Sequence, residues 1–194
     1  MSNFLGQSAR ECYYFLVPRE VSVSISNAIL NNHITIRTES EGYLTSPPAL
    51  PAEVSYFLPY QTNSSLANNL PGDGLKFRGR GMKQLTGKYN YSEYWVYRGW
   101  LQRSSYSQSW WTHGTNKSSP VINNPEVVGD NPYDALDTAG YYFVWKKINA
   151  VADLGATEAA SNSVTSLINP YENPQSPVRW NVTKIAHDVL GDRP

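Results

Sequence analysis

The sequence predicts an α+β domain that is mainly helical, with one small β-hairpin. Three observations carry that expectation. Apolar residues recur at helical spacing in several segments bounded by capping residues, strict apolar–polar alternation is confined to two short stretches, and there are no internal repeats or heptads.

In chain order, Phe4, Leu5, Ala9, Cys12, Phe15 and Leu16 fall on one helical stripe with Ser2 or Asn3 as cap, and Pro18 stops that helix by about Leu16. Val21, Val23 and Ile25 alternate with serines, and Ile34 and Ile36 alternate after Asn31 and Asn32; these two runs are the expected hairpin. From Tyr43 to Asn69, Pro47, Pro48, Pro51 and Pro59 among small polar residues predict loop with one short helix. A glycine-crowded stretch follows, then a helix from Lys88 to about Trp100 and a polar, aromatic-rich insert over 102–120. Asn131 and Pro132 open a helix in the cap and first-turn positions, and it runs to Lys146 and Lys147. Another spans about Thr157 to Ile168, ended by Asn169 and Pro170. The last begins at Ser176 and Pro177, places Val178, Val182, Ile185 and Val189 on one face, and ends at Gly191.

A chain of 194 residues buries roughly 70% of its unfolded surface, enough to support a core without metals or disulfides. The single cysteine excludes an intrachain disulfide. Lys plus Arg number 16 and Asp plus Glu number 16, which argues against nucleic acid, whose binders carry a basic excess. No apolar run is long enough to span a bilayer, and no charged segment leads into an apolar core and a cleavage site, so neither membrane insertion nor an export signal is expected. The polarity is instead uncharged: Asn, Ser, Thr and Gln, with 14 Tyr and 6 Trp. Amides, hydroxyls and aromatic faces together suit a neutral polar ligand such as a sugar.

The segment Pro71 to Tyr91, PGDGLKFRGRGMKQLTGKYNY, is the most unusual. Gly79 and Gly81 flank Arg80 and permit close backbone approach or positive φ, while Gln84, Thr86 and Asn90 present uncharged donors and acceptors near one another. It has neither the spacing of a phosphate loop nor a GxGxxG. Cys12, on the apolar side of the first helix, reads as a small core residue rather than as a thiol nucleophile served by His33, His113 or His187. Three scattered histidines without HExxH give no metal site, and no cofactor is expected.

FRGRGMKQLTGKYNY resembles the central motif of glycoside hydrolase family 19, the family of plant chitinases and of many phage and bacterial lysozymes. GDG before RGRG and TG after QL are closer to the lysozyme branch. FLGQSARECYYF, residues 4 to 15, is similar to that family's first catalytic helix, with Arg10 where the family has His. Asn124, Pro125 and Glu126 resemble its NPE segment, and SLIN at 166–169 with the Arg179 helix resembles the closing pair. The resemblance implies a lysozyme-like fold and a single catalytic domain over 1–194, with general acid Glu11, general base Glu20 and the Thr86 hydroxyl beside it. It further implies sugar contacts from Gln84, Asn90 and Asn169, and from Arg80, Tyr89 and Arg179. Glu39, Glu41 and Glu53 are alternative bases if the intervening loop folds back.

Geometry bears on the two carboxylates. On one continuous helix, Glu11 and Glu20 would point about 180° apart and lie roughly 13.5 Å apart along the axis. Pro18 breaks that helix, and a reversed segment can bring Glu20 across a cleft, at the roughly 6.5–9.5 Å of inverting glycosidases.

The expected activity is therefore inverting hydrolysis of the β-1,4 bond of peptidoglycan, with glycan strands as partner. Chitin is the alternative substrate, and a catalytically silent glycan-binding module, motivated by Arg10, the alternative class. Trp95, Trp100, Trp110 and Trp111 around the insert suit either an extended sugar cleft or a satellite core. The helix starting almost at Met1 suggests a domain cut from a longer protein, a phage endolysin released by holin-type lysis or a secretion-system effector. Either would act in the target's cell wall, and an effector would carry a cognate immunity protein as a partner.

Overall fold

A computed structural model describes residues 1–11, 20, 51–112, 117–171 and 177–191. The expected hairpin, the first helix beyond Glu11, Cys12, His33, Glu39, Glu41 and His113 lie outside the described residues. The helices are α1 (Ser2–Glu11), α2 (Pro51–Thr62), α3 (Asp73–Lys76), α4 (Lys88–Tyr97), α5 (Val127–Asp130), α6 (Pro132–Trp145), α7 (Asn149–Ala152), α8 (Glu158–Ile168) and α9 (Pro177–Leu190). Short 3-10 turns lie at Ser64–Leu66 and Arg103–Ser105. Among the described residues β-structure is limited to an isolated antiparallel bridge between Arg80 and Leu85, so the protein is mainly helical. No helix among them is long and apolar enough to cross a membrane.

The helix signals in the second half locate their elements closely. Asn131 Oδ1 accepts from Tyr133 N at 2.9 Å, and Pro132 is the first residue of α6. Thr157 Oγ1 caps α8 by accepting from Ala160 N at 3.2 Å, and Asn169 ends it. Helix α4 begins at Lys88 as expected and stops at Tyr97, three residues short of Trp100. The proline-rich stretch contains more helix than its composition suggests. Pro51 opens α2 in the first turn, where its missing N–H breaks no bond, and Pro59 lies in the last turn and a half.

The chain divides into two compact units. Unit 1 comprises Met1–Pro18, Gly81–Lys83 and Leu136–Pro194. Its apolar core is Phe143, Ile148 and Val164, with Phe4, Tyr142, Val151, Ala152 and Ile168 packed against it. Around this core the helices are joined by polar contacts. Asn3 Nδ2 donates to the Ala152 and Gly155 carbonyls, each at 3.0 Å. Gln7 Nε2 donates to Ser161 O (3.2 Å) and Thr165 Oγ1 (3.0 Å), while Arg179 donates to Gln7 Oε1 (2.8 Å) and to its carbonyl (3.2 Å). Helices α1 and α9 approach so closely at Gly6 that a Cβ there would stand 2.8 Å from Arg179 O and 2.9 Å from Thr183 N.

These contacts correct the expected face of α9, whose buried residues are Arg179, Thr183 and Ala186, whereas Ile185 is 62% and Val189 77% exposed. There, hydrogen bonding and close backbone approach, not the apolar stripe, set which side faces in. On α1, Phe4 of the expected stripe packs on the core, with Ser2, Asn3, Gly6, Gln7 and Ser8 buried beside it.

Unit 2 comprises Arg19–Arg80 and Gln84–Ala135. Its core is aromatic: Phe57, Phe77, Tyr91, Tyr94, Trp95 and Trp110 are buried with Leu85, Ile122 and Val128. The rings meet edge-on or tilted, Phe77 on Tyr91 at 5.4 Å and Trp95 on Trp100 at 5.1 Å between centroids. Beside this core Arg80 and Arg78 both pair with the buried Glu126 carboxylate, Arg78 at 3.8 Å, and Arg80 also donates to Tyr91 Oη at 2.9 Å. Burial pushes the Lys88 ammonium below its usual range against the opposing pull of Asp73, to which it donates at 3.3 Å.

Candidate functional site

The local geometry of the glycine-rich segment assembles the site. Arg80 and Leu85 exchange both backbone hydrogen bonds (3.2 and 2.8 Å), closing the chain between them into a tight turn. At its end Gln84 takes a positive φ of 50°, a conformation that side-chain-bearing residues rarely adopt and that functional sites often retain. The Thr86 hydroxyl donates back to Gln84 O at 2.8 Å, and Asn90 Nδ2, in the first turn of α4, donates to Thr86 O at 2.7 Å.

Glu20 is attached to this segment through Gly79. Its backbone N–H donates to Gly79 O at 2.7 Å, and its carboxylate Oε2 accepts from Gly79 N at 3.1 Å. The other oxygen, Oε1, accepts from the Tyr60 hydroxyl at 2.8 Å. A Cβ placed on Gly79 would stand 2.6 Å from Gln84 Oε1, 3.0 Å from Glu20 Oε2 and 3.2 Å from Thr86 Oγ1. Three oxygens, two from the glycine-rich segment itself and one from Glu20, 59 positions away, thus face one bare glycine, so Glu20, Gln84 and Thr86 come together in unit 2, with Asn90 tied to Thr86. Burial, reinforced by the Glu20 charge and hydrogen bond, raises the Tyr60 phenol well above its ordinary range, so it remains a donor through neutral pH.

Tyr89, half-buried on the first turn of α4, meets the ring of Trp111 edge-on at 4.9 Å. The insert's aromatics differ in burial. Trp110 is 3% exposed and lies over the Lys88 ammonium at 5.4 Å, a core residue, whereas Trp111 is 40% exposed beside Tyr89.

The remaining expected residues stand elsewhere. Glu11 is the last residue of α1, in unit 1, and its side chain is outside the described set. Glu53 lies on α2. Asn169 caps the end of α8 in unit 1, where its Oδ1 accepts from Tyr171 N at 3.2 Å. Arg80 and Arg179 are corrections. Both side chains are buried and their guanidinium groups are committed to the protein's own acceptors, Glu126, Lys76 O, Arg78 O and Tyr91 Oη for Arg80 and Gln7 for Arg179. They brace the fold instead of contacting a ligand. Tyr60 is the residue that sequence reasoning missed, since it sits in a proline-rich stretch 40 positions from the carboxylate it binds. The chain matches no family model and no curated protein.

Proposed function

We propose that the protein is a peptidoglycan hydrolase that cleaves β-1,4 glycosidic bonds with inversion, Glu20 acting as general base and Glu11 as general acid. The observation that carries this reading is the convergence of Glu20 Oε2, Thr86 Oγ1 and Gln84 Oε1 around Gly79. The Thr86 hydrogen is committed to Gln84 O, so toward a water the hydroxyl oxygen serves as acceptor. A water that directs one hydrogen to Glu20 Oε2 and the other to Thr86 Oγ1 keeps a lone pair for the anomeric carbon. As that bond forms, Glu20 takes the water's proton, and protonated Glu11 gives its own to the departing glycosidic oxygen on the opposite face. The neutral amides of Gln84 and Asn90 suit N-acetyl and hydroxyl groups, and the exposed Trp111 beside Tyr89 offers a stacking face for a further ring of the strand.

The partner is the glycan strand of the target's cell wall, which the protein reaches by phage lysis or by secretion; in the latter case an immunity protein covers the site. The test is release of new reducing ends from peptidoglycan sacculi and, in parallel, from chitin oligomers. Wild type releases them from sacculi, while Glu20→Gln and Glu11→Gln each lose on the order of 10²–10⁴-fold in rate and still bind. Faster release from chitin would transfer the reading to a chitinase. Binding without release from either substrate would leave the fold a glycan-binding module.

A further inference from the structure

We propose that Tyr60 is a positioning residue for Glu20, its hydroxyl fixing which carboxylate oxygen meets the attacking water. The inference deepens the proposed hydrolase and rests on Glu20 being its base.

The two oxygens of Glu20 have different partners: Tyr60 Oη donates to Oε1 at 2.8 Å, and Gly79 N donates to Oε2 at 3.1 Å. Two donors on two oxygens fix both the torsion and the plane of a carboxylate that a single donor would leave free to turn. With Oε1 turned to Tyr60, Oε2 is the oxygen beside the space bounded by Thr86 Oγ1 and Gln84 Oε1, and it keeps a lone pair beyond the one that takes the Gly79 N–H.

Tyr60 is itself held in place. Its ring packs on the buried Phe57 at 5.8 Å, and its carbonyl accepts from Asn68 Nδ2 at 2.9 Å. Asn68 Oδ1 in turn accepts from Lys88 N at 3.0 Å, the first residue of the helix that carries Asn90. One asparagine thereby ties the turn bearing Tyr60 to the helix bearing Asn90, so both sides of the carboxylate are referred to one scaffold. Because the phenol keeps its proton at neutral pH, it donates throughout the range in which a carboxylate titrates.

Two measurements test this, one of which needs no catalysis. With tyrosine carrying a ¹³C label at Cζ, the Tyr60 resonance is assigned through its contact with Phe57 and its chemical shift is compared at neutral pH in wild type and in Glu20→Gln. Loss of the charged acceptor weakens the hydrogen bond to the phenol and moves that shift from its wild-type position. An identical shift in both proteins overturns the proposal. The second measurement is hydrolysis of sacculi by Tyr60→Phe. Its kcat falls about tenfold with KM within twofold, because the carboxylate loses its fixed orientation toward the water and not its contact with the strand. A wild-type kcat, or a kcat and KM that change together, overturns the positioning role. Full hydrolysis by Glu20→Gln instead overturns the base assignment, whatever Tyr60 does.

Discussion

Gly79 sets how much room the site has. The nearest atom a methyl group would meet is the end of the Gln84 side chain at 2.6 Å, which can swing away, and the next is Glu20 Oε2 at 3.0 Å. Gly79→Ala is therefore expected to cost less than about 1 kcal/mol of stability, since a flexible side chain relieves the clash. The same displacement moves the groups proposed to hold the water, and errors of about 1 Å in such an arrangement cost on the order of 10² in rate. The expected result is a variant with a nearly unchanged urea midpoint and a strongly reduced release of reducing ends. A parallel loss of both would show that Gly79 is a folding residue only. Gly79, Gln84 and Thr86 were visible in the sequence because an unusual run of glycines and amides marks a place where backbone and polar groups crowd. Tyr60 carried no such mark, since a hydrogen bond across 40 positions has no period and no local composition.

Among the elements, the contact of α1 with α9 gives the sharpest contrast. Gly6→Ala sets a methyl against backbone atoms, Arg179 O at 2.8 Å and Thr183 N at 2.9 Å, which cannot rotate away. Overpacking of this kind costs typically 1–3 kcal/mol, larger than the roughly 1 kcal/mol of helix propensity that alanine gains over glycine. A net loss of up to about 2 kcal/mol is expected in chemical denaturation. Val189→Ala, at a residue 77% exposed, should stay within about 0.5 kcal/mol. A core-sized cost for Val189→Ala would restore the apolar face as the buried one. Here sequence reasoning located the helix and misjudged its orientation. Asn131, Pro132, Thr157 and Pro177 act through their own backbone neighbours and so are legible locally. The inward face of α9 depends instead on Arg179 reaching Gln7, 172 positions away, and on the absence of a side chain at Gly6. Hydrophobic periodicity weighs neither.

For the whole molecule, 16 basic and 16 acidic residues leave no net charge to draw it toward an anionic cell wall. Exposed charges are screened beyond about 8–10 Å near physiological salt, and the proposed contacts, amides and aromatic faces, are uncharged. Co-sedimentation with sacculi should therefore change less than about twofold between roughly 50 and 200 mM salt, conditions that weaken charge-driven binding far more. A steep salt dependence would place the attraction in a local basic patch and not in the amide and aromatic groups. Temperature separates the molecule's parts in another way. The apolar cluster of Phe143, Ile148 and Val164 draws on hydrophobic burial, which weakens on cooling and levels off on heating. The Arg78, Arg80 and Glu126 cluster is built on buried charges, whose cost of leaving water falls as temperature rises. On warming, the ionic anchor of unit 2 thus gains in relative weight on the apolar core of unit 1.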